Sequence, residues 1–161
     1  MSRICVVLVL FIVCTQALSL AESRHKRQVT NQFRNKNYYV ESLIKANFYN
    51  AFLFCQRLGM RLLTIDNNEE YDYILNILRT QIQFKPGSKL WTSGTDLAQE
   101  GTFHWMSTGF PVLINKWLPK QPDNGSGNEN CICFWNNRGT IGFNDEQCTD
   151  VANFICESPK L

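Results

Sequence analysis

The sequence predicts an α+β domain, and three observations carry that prediction. Two stretches with apolar residues at three- and four-residue steps come first; short strand-like segments separated by glycines and asparagines follow. Helices followed by an antiparallel sheet is the order of an α+β chain rather than of alternating βαβ units. Between Met106 and Cys131 lies a long stretch that holds Pro111, Pro119 and Pro122 and has almost no periodicity. Loops of that length within a compact domain are generally functional or disordered.

The elements follow in order. Tyr38, Tyr39 and Val40 suit a first strand within residues 33–41. From Ala46 the period changes: Phe48, Ala51, Phe52, Cys55 and Leu58 share one helical face, and Gly59 can end that helix. Cys55 therefore points inward. After residues 62–65, Asp66 or Asn67 can cap a second helix with Glu69 and Glu70 in its first turn and Tyr71, Ile74, Leu75 and Leu78 as its buried stripe. Residues 90–93, 102–106, 131–135, 140–143 and 153–157 read as strands, with Asn136-Asn137-Arg138-Gly139 as a tight hairpin connection. The chain shows no internal repeat and no low-complexity tract.

Residues 1–21 have the layout of a secretory signal peptide: Arg3, an apolar run over residues 4–13, then small residues around Ser19 and Ala21. The run is too short to span a bilayer. Residues 22–36 form an N-terminal segment in which Arg24-His25-Lys26-Arg27 is either a processing site that leaves Gln28 as the first residue or a solvated basic tail. A chain starting at Gln28 has twelve basic and thirteen acidic residues, a net charge of −1. That balance supplies no field to gather nucleic acid or an anionic membrane surface, and neither partner is expected. Five cysteines remain, Cys55, Cys131, Cys133, Cys148 and Cys156. In an exported protein four of them should form two bridges. Cys-x-Cys with no matching second pair and only His104 nearby is a poor zinc site.

The long loop carries "QPDNGSGNENC", and a second polar pair, Asn144-Asp145, follows the last hairpin strand just before Cys148. Should Cys131 and Cys148 be bridged or lie on neighbouring strands, five oxygen donors converge: Gln121, Asp123, Glu129, Asn144 and Asp145. A donor set with no imidazole and no thiolate suits a hard cation that accepts many oxygens, which is calcium. Three carboxylates held together also repel one another unless a divalent cation sits between them. A cis bond at Pro122 would turn Gln121 and Asp123 toward one point. The competing reading of the loop by itself is a polar surface turn.

Over roughly residues 37–157 the chain resembles the C-type lectin-like domain family, most nearly its short, secreted, single-domain arthropod members. The features that carry the resemblance are "ANFYNAFLFCQRLGMRLLTI", "LWTSGTD", "QPDN", "ENC", "GFNDEQC" and "NFICE". It implies a C-type lectin fold over residues 37–161, with a long calcium-binding loop folded back over the sheet. It also implies bridges Cys55–Cys156 and Cys131–Cys148, a cis Pro122, and calcium and sugar held jointly by Gln121, Asp123, Glu129, Asn144 and Asp145. Gln-Pro-Asp goes in that family with galactose-type sugars.

Three departures accompany the resemblance. Phe143 stands where the family usually has Trp. No aromatic follows Gln-Pro-Asp to stack on a sugar, so Trp135 is either that platform or a packing residue. Asn124-Gly125-Ser126 is a glycosylation sequon beside the site, with Asn124 as the acceptor. Cys133 is left free or interchain.

The expected function is a secreted, calcium-dependent lectin for galactose-type glycans on cells or microbes, which leaves homo-oligomers open because single sugar sites bind weakly. The alternative is a protein-binding module that keeps calcium and not sugar. An enzyme is not expected: Cys133 with His104, or Asp123 with Glu129, lacks the base and orienting group that a nucleophile requires.

Overall fold

The structure, a computed structural model, describes residues 30–82 and 84–158. The predicted signal peptide and the basic Arg24-His25-Lys26-Arg27 stretch lie outside the described residues. Eight strands form one sheet in the order β1-β2-β8-β4-β6-β7, with β3 on β8 and β5 on β4. They are β1 (Thr30–Phe33), β2 (Lys36–Ala46), β3 (Arg61–Leu62), β4 (Lys89–Thr95), β5 (His104–Trp105), β6 (Cys131–Asn137), β7 (Thr140–Glu146) and β8 (Ala152–Glu157). Among the described residues two helices, α1 (Phe48–Arg57) and α2 (Asn68–Thr80), complete the α+β architecture.

Both helices begin at an asparagine whose side chain satisfies a free N–H. Asn47 Oδ1 accepts from Asn50 N at 2.9 Å, and Asn67 Oδ1 from Glu70 N at 2.9 Å. In α1, Phe48, Ala51 and Cys55 are buried, but Leu58 is 48 % exposed because the helix has already ended there. In α2 the buried stripe is Tyr71, Ile74, Ile77 and Leu78. The predicted strand over residues 102–106 shrinks to His104–Trp105, and the first predicted strand divides into β1 and β2 around a turn at Arg34, whose φ is 53°. The sheet is antiparallel except at one seam, where β4 runs parallel to β8. Arg138 (φ 53°) and Gly139 (φ 100°) make the tight β6–β7 connection, left-handed at both positions as such hairpins require.

Two apolar cores flank the sheet. One gathers Tyr71, Ile74, Leu78, Ile132, Phe134 and Phe143; the other gathers Phe48, Cys55, Trp91, Cys131, Cys133 and Phe154. A disulfide joins Cys55 on α1 to Cys156 on β8, Cα–Cα 5.4 Å.

A buried ion cluster ties the N-terminal strands to α2 and β8. Lys36 Nζ donates to Glu70 Oε1 at 2.7 Å, Glu157 Oε2 at 3.0 Å and the Thr64 carbonyl at 3.1 Å, and lies 3.1 Å from Asp66 Oδ2. Arg61 Nε donates to Glu157 Oε1 at 2.7 Å, and the Tyr38 hydroxyl to Glu70 Oε1 at 2.5 Å.

The long loop is fastened to β7 at Phe143. Phe143 N donates to the Lys116 carbonyl at 2.8 Å, and Leu118 N to the Phe143 carbonyl at 2.9 Å. The fully buried Phe143 ring meets Phe134, Tyr71, Trp117 and Trp105 at centroid distances of 5.1, 5.4, 5.9 and 6.2 Å. An apolar ring of this kind fills the position without needing the indole N–H of a tryptophan. Gly142 precedes it because a Cβ there would come within 3.0 Å of the Lys116 carbonyl oxygen.

Candidate functional site

The second disulfide positions the site. Cys131, which opens β6, is bonded to Cys148 beyond the end of β7, Cα–Cα 5.2 Å. Glu129 lies two residues before the first cysteine and Asp145 three before the second, so one covalent link draws the loop end and the strand end together. A cis bond precedes Pro122, and left-handed backbone at Lys120 (φ 71°) and Asn124 (φ 44°) turns the chain on either side of Gln121-Pro122-Asp123.

Asp123, Glu129 and Asp145 each present one carboxylate oxygen such that all three lie within 4.8 Å of one another. Asp145 is 1 % exposed and its carboxylate takes two loop amides, Asp123 N to Oδ1 at 3.1 Å and Asn124 N to Oδ2 at 2.7 Å. Glu129 is locked from both sides: its Oε2 accepts Gly125 N at 2.8 Å, and its own N–H donates to Asn124 Oδ1 at 3.0 Å. A Cβ on Gly125 would stand 2.8 Å from Glu129 Oε2, which is why a glycine occupies that position.

In the chain, Gln121 lies two residues before Asp123 and Asn144 directly before Asp145. Gln121 Oε1 is buried and has no hydrogen-bond partner. Asn144, opposite Cys133 on β6, donates from Nδ2 to the Asp145 carbonyl and, at 3.5 Å, to Glu146 Oε2. Glu146 in turn is ion-paired with Lys89. Burial, then the neighbouring Asp145 and Asp123 carboxylates, raises the Glu129 carboxyl above the ordinary glutamate range, against the Gly125 N–H and Lys89. Two unit charges at such separations repel by roughly 1 kcal/mol in water and by roughly 4 kcal/mol at an effective dielectric constant of about 20. A hard divalent cation would relieve that repulsion and give the orphaned Gln121 oxygen a partner, so the donor set fits calcium.

Cys133 does not join a metal set: it is fully buried, and burial pushes its thiol up to about 12. Such a thiol is uncharged, a poor ligand and inaccessible to a second chain. Trp135 packs against the second core with the Lys89 ammonium 5.8 Å from its ring centroid. Residues outside the predicted donor set also shape the site. Asn124 and Gly125 hold Glu129, and Asp96, 1 % exposed, donates from its N to the Asn130 carbonyl at 3.2 Å while its Oδ1 has no partner. Asp96 lies 33 residues before Glu129, and no local pattern links the two.

Comparison with known proteins adds an independent observation. The family profile described as lectin C-type domain matches residues 44–158. C-type lectin 37Da of Drosophila melanogaster is 38 % identical over 133 residues, which is 78 % of this chain and 70 % of that protein. Salivary C-type lectin 1 of Aedes albopictus is 32 % identical over 88 % of this chain and 93 % of its own. Among solved structures, the carbohydrate-recognition domain of the mouse scavenger receptor C-type lectin superposes with a TM-score of 0.68 at 34 % identity, covering 82 % of this chain and 94 % of that one.

Proposed function

The chain belongs to the C-type lectin domain family, and from that premise we propose that it is a calcium-dependent carbohydrate-binding protein selective for galactose-type sugars. The observation that carries this reading is the convergence of Asp123, Glu129 and Asp145, with a buried, unpartnered oxygen on Gln121, two residues before Asp123 in the chain. Bound there, calcium would supply coordination positions for two neighbouring sugar hydroxyls. The carboxylates of Asp123 and Glu129 would accept hydrogen bonds from those hydroxyls, and the amides of Gln121 and, on turning from the Asp145 carbonyl and Glu146, Asn144 would donate to them. Gln121 is an amide and Asp123 an acid, an order that favours one orientation of the hydroxyl pair; exchanging them (Q121E with D123N) should move preference from galactose-type toward mannose-type sugars. No bond is made or broken.

Export fits a chain with an N-terminal apolar leader and two disulfides. A glycan on Asn124 would hang from the loop that holds Glu129 and weaken sugar binding. Among the described residues no helix is long and apolar enough to cross a membrane.

The test is a glycan array read with calcium and again with chelator. Binding to terminal galactose or N-acetylgalactosamine that disappears with chelator is expected. Binding unaffected by chelator would refute the metal scheme; calcium uptake with no glycan bound would instead leave a protein-binding module.

A further inference from the structure

Large apolar side chains are exposed together beside the C-terminal end of β2. The register between β2 and β8 slips between Glu41 and Ala46, and the chain bulges outward there. The bulge is ordered: Glu41 Oε1 accepts Leu43 N at 2.8 Å and Ile44 N at 3.0 Å, and Asn153 Nδ2 donates to the Ile44 carbonyl at 3.1 Å. Leu43 is nonetheless 70 % exposed and Ile44 53 %. Val151, 63 % exposed, immediately precedes β8, two residues from Asn153, whose side chain holds the bulge. Phe48 N donates to the Cys148 carbonyl at 3.1 Å, which brings the start of α1 against the same turn, and Tyr49 there is 41 % exposed. Solvent gains nothing from a bulge pinned open to present two aliphatic side chains, whereas a partner surface would.

The charges around this patch say which partner. Lys45 follows Ile44, Asp150 precedes Val151, both are exposed, and neither takes part in an ion pair among the described residues. A two-fold interface requires a patch that complements itself, so that residue i of one copy meets residue j of the other and the reverse. An apolar centre flanked by one unpaired cation and one unpaired anion meets that requirement; a partner of single-sign charge would leave one flank opposed by a like charge. We propose that the β2 bulge with the neighbouring turn is a self-association surface, through which two copies dimerise by packing Leu43, Ile44 and Val151 together and exchanging Lys45–Asp150 ion pairs. None of the five donors of the sugar site is part of it, so dimerisation stands independently of the calcium reading and would give the molecule two sugar sites.

The experiment is sedimentation velocity of the secreted chain in chelator, which removes any association through metal or sugar, at protein concentrations up to roughly 100 µM, where contacts of modest affinity are populated. A monomer–dimer equilibrium is expected. K45D and D150K should each weaken it by roughly tenfold or more, through like charges brought face to face. An equimolar mixture of the two single variants should form a heterodimer with near-parental affinity, as should the homodimer of the K45D/D150K double variant. Near-ultraviolet circular dichroism checks that each variant is folded. I44D, aimed at the apolar centre, should be monomeric throughout. A parent that stays monomeric over the whole range, or a dimer indifferent to all of these changes, overturns the proposal; dimers lost in the single variants and not regained in the mixture overturn the ion-pair exchange.

Discussion

Two groups of three carboxylates lie in this domain, and the chain treats them differently. Around Lys36, the carboxylates of Asp66, Glu70 and Glu157 share an ammonium that the chain itself supplies, with Arg61 as a second cation. Around the loop, Asp123, Glu129 and Asp145 have amide N–H groups for company, and the cation Lys89 is paired with Glu146 instead. The first group is saturated and closes the N-terminal strands onto α2 and β8. The second leaves an oxygen of Gln121 unpartnered and its own charges facing one another. A carboxylate cluster with a resident lysine is part of the fold; one without it keeps its charges unbalanced, and on the proposed reading a cation from outside completes it.

The contrast can be broken most forcefully at Lys36. K36M strips the inner cluster of its cation, and unfolding in urea should show a loss of about 3–5 kcal/mol with calcium present or absent. A loss below about 1 kcal/mol would mean the inner acids do not depend on it. Calcium should act on the outer cluster alone. At about a hundredfold excess over its Kd it should add roughly 2.7 kcal/mol to the parent, and nothing measurable to D145N. G125A drives a methyl against Glu129, so isothermal titration should find calcium about tenfold weaker with the fold unchanged.

Acid should separate the two clusters. Burial pushes the Glu157 carboxyl up from 4.5 to about 7 despite Lys36 and Arg61. A raised carboxyl contributes stability that is fully present below its unfolded value and lost as pH rises through its folded one. Lowering the pH from about 7 toward 4.5 therefore protonates Glu157 without cost to the fold. Glu129 is raised above the ordinary glutamate range as well, but calcium needs its charged form, so protons compete with the metal as the pH is lowered. Calcium affinity should fall as the pH is lowered from neutrality while metal-free stability holds or rises; parallel loss of both would contradict the division. The smallest effect is expected from E129Q in chelator, where relief of repulsion should leave stability equal to the parent or slightly above it, although calcium binding is gone.

Legibility in the sequence followed the range of the forces. The helices were readable because their apolar stripes, and at the second helix the cap Asn67, act within one or two turns; the Asn47 cap of the first emerged only in the structure. The β6–β7 hairpin was readable because Arg138-Gly139 must adopt left-handed backbone whatever lies around it. β3 and the shortened β5 were not, because two-residue strands exist only where a neighbour offers a ladder. The parallel β4–β8 seam was hidden for the same reason, since Trp91 and its Phe154 partner are 63 positions apart. At the site, the oxygen donors stand out as residue types in a periodicity-free loop. Their approach to within 4.8 Å, the amides that hold Asp145 and Glu129, and the unpartnered Gln121 oxygen are consequences of where the backbone goes.

By itself, then, the sequence determined the class of fold, the two helices, the chemical character of the loop as a hard-oxygen donor set, and membership of a family. Only the tertiary structure decided which carboxylates meet a lysine and which meet one another, that Cys133 is sealed in the core, and that Leu43 and Ile44 are held out in solvent. Local patterns report energies between near neighbours in the chain; charge balance and burial depend on partners dozens of residues away, and those are chosen when the strands and disulfides close.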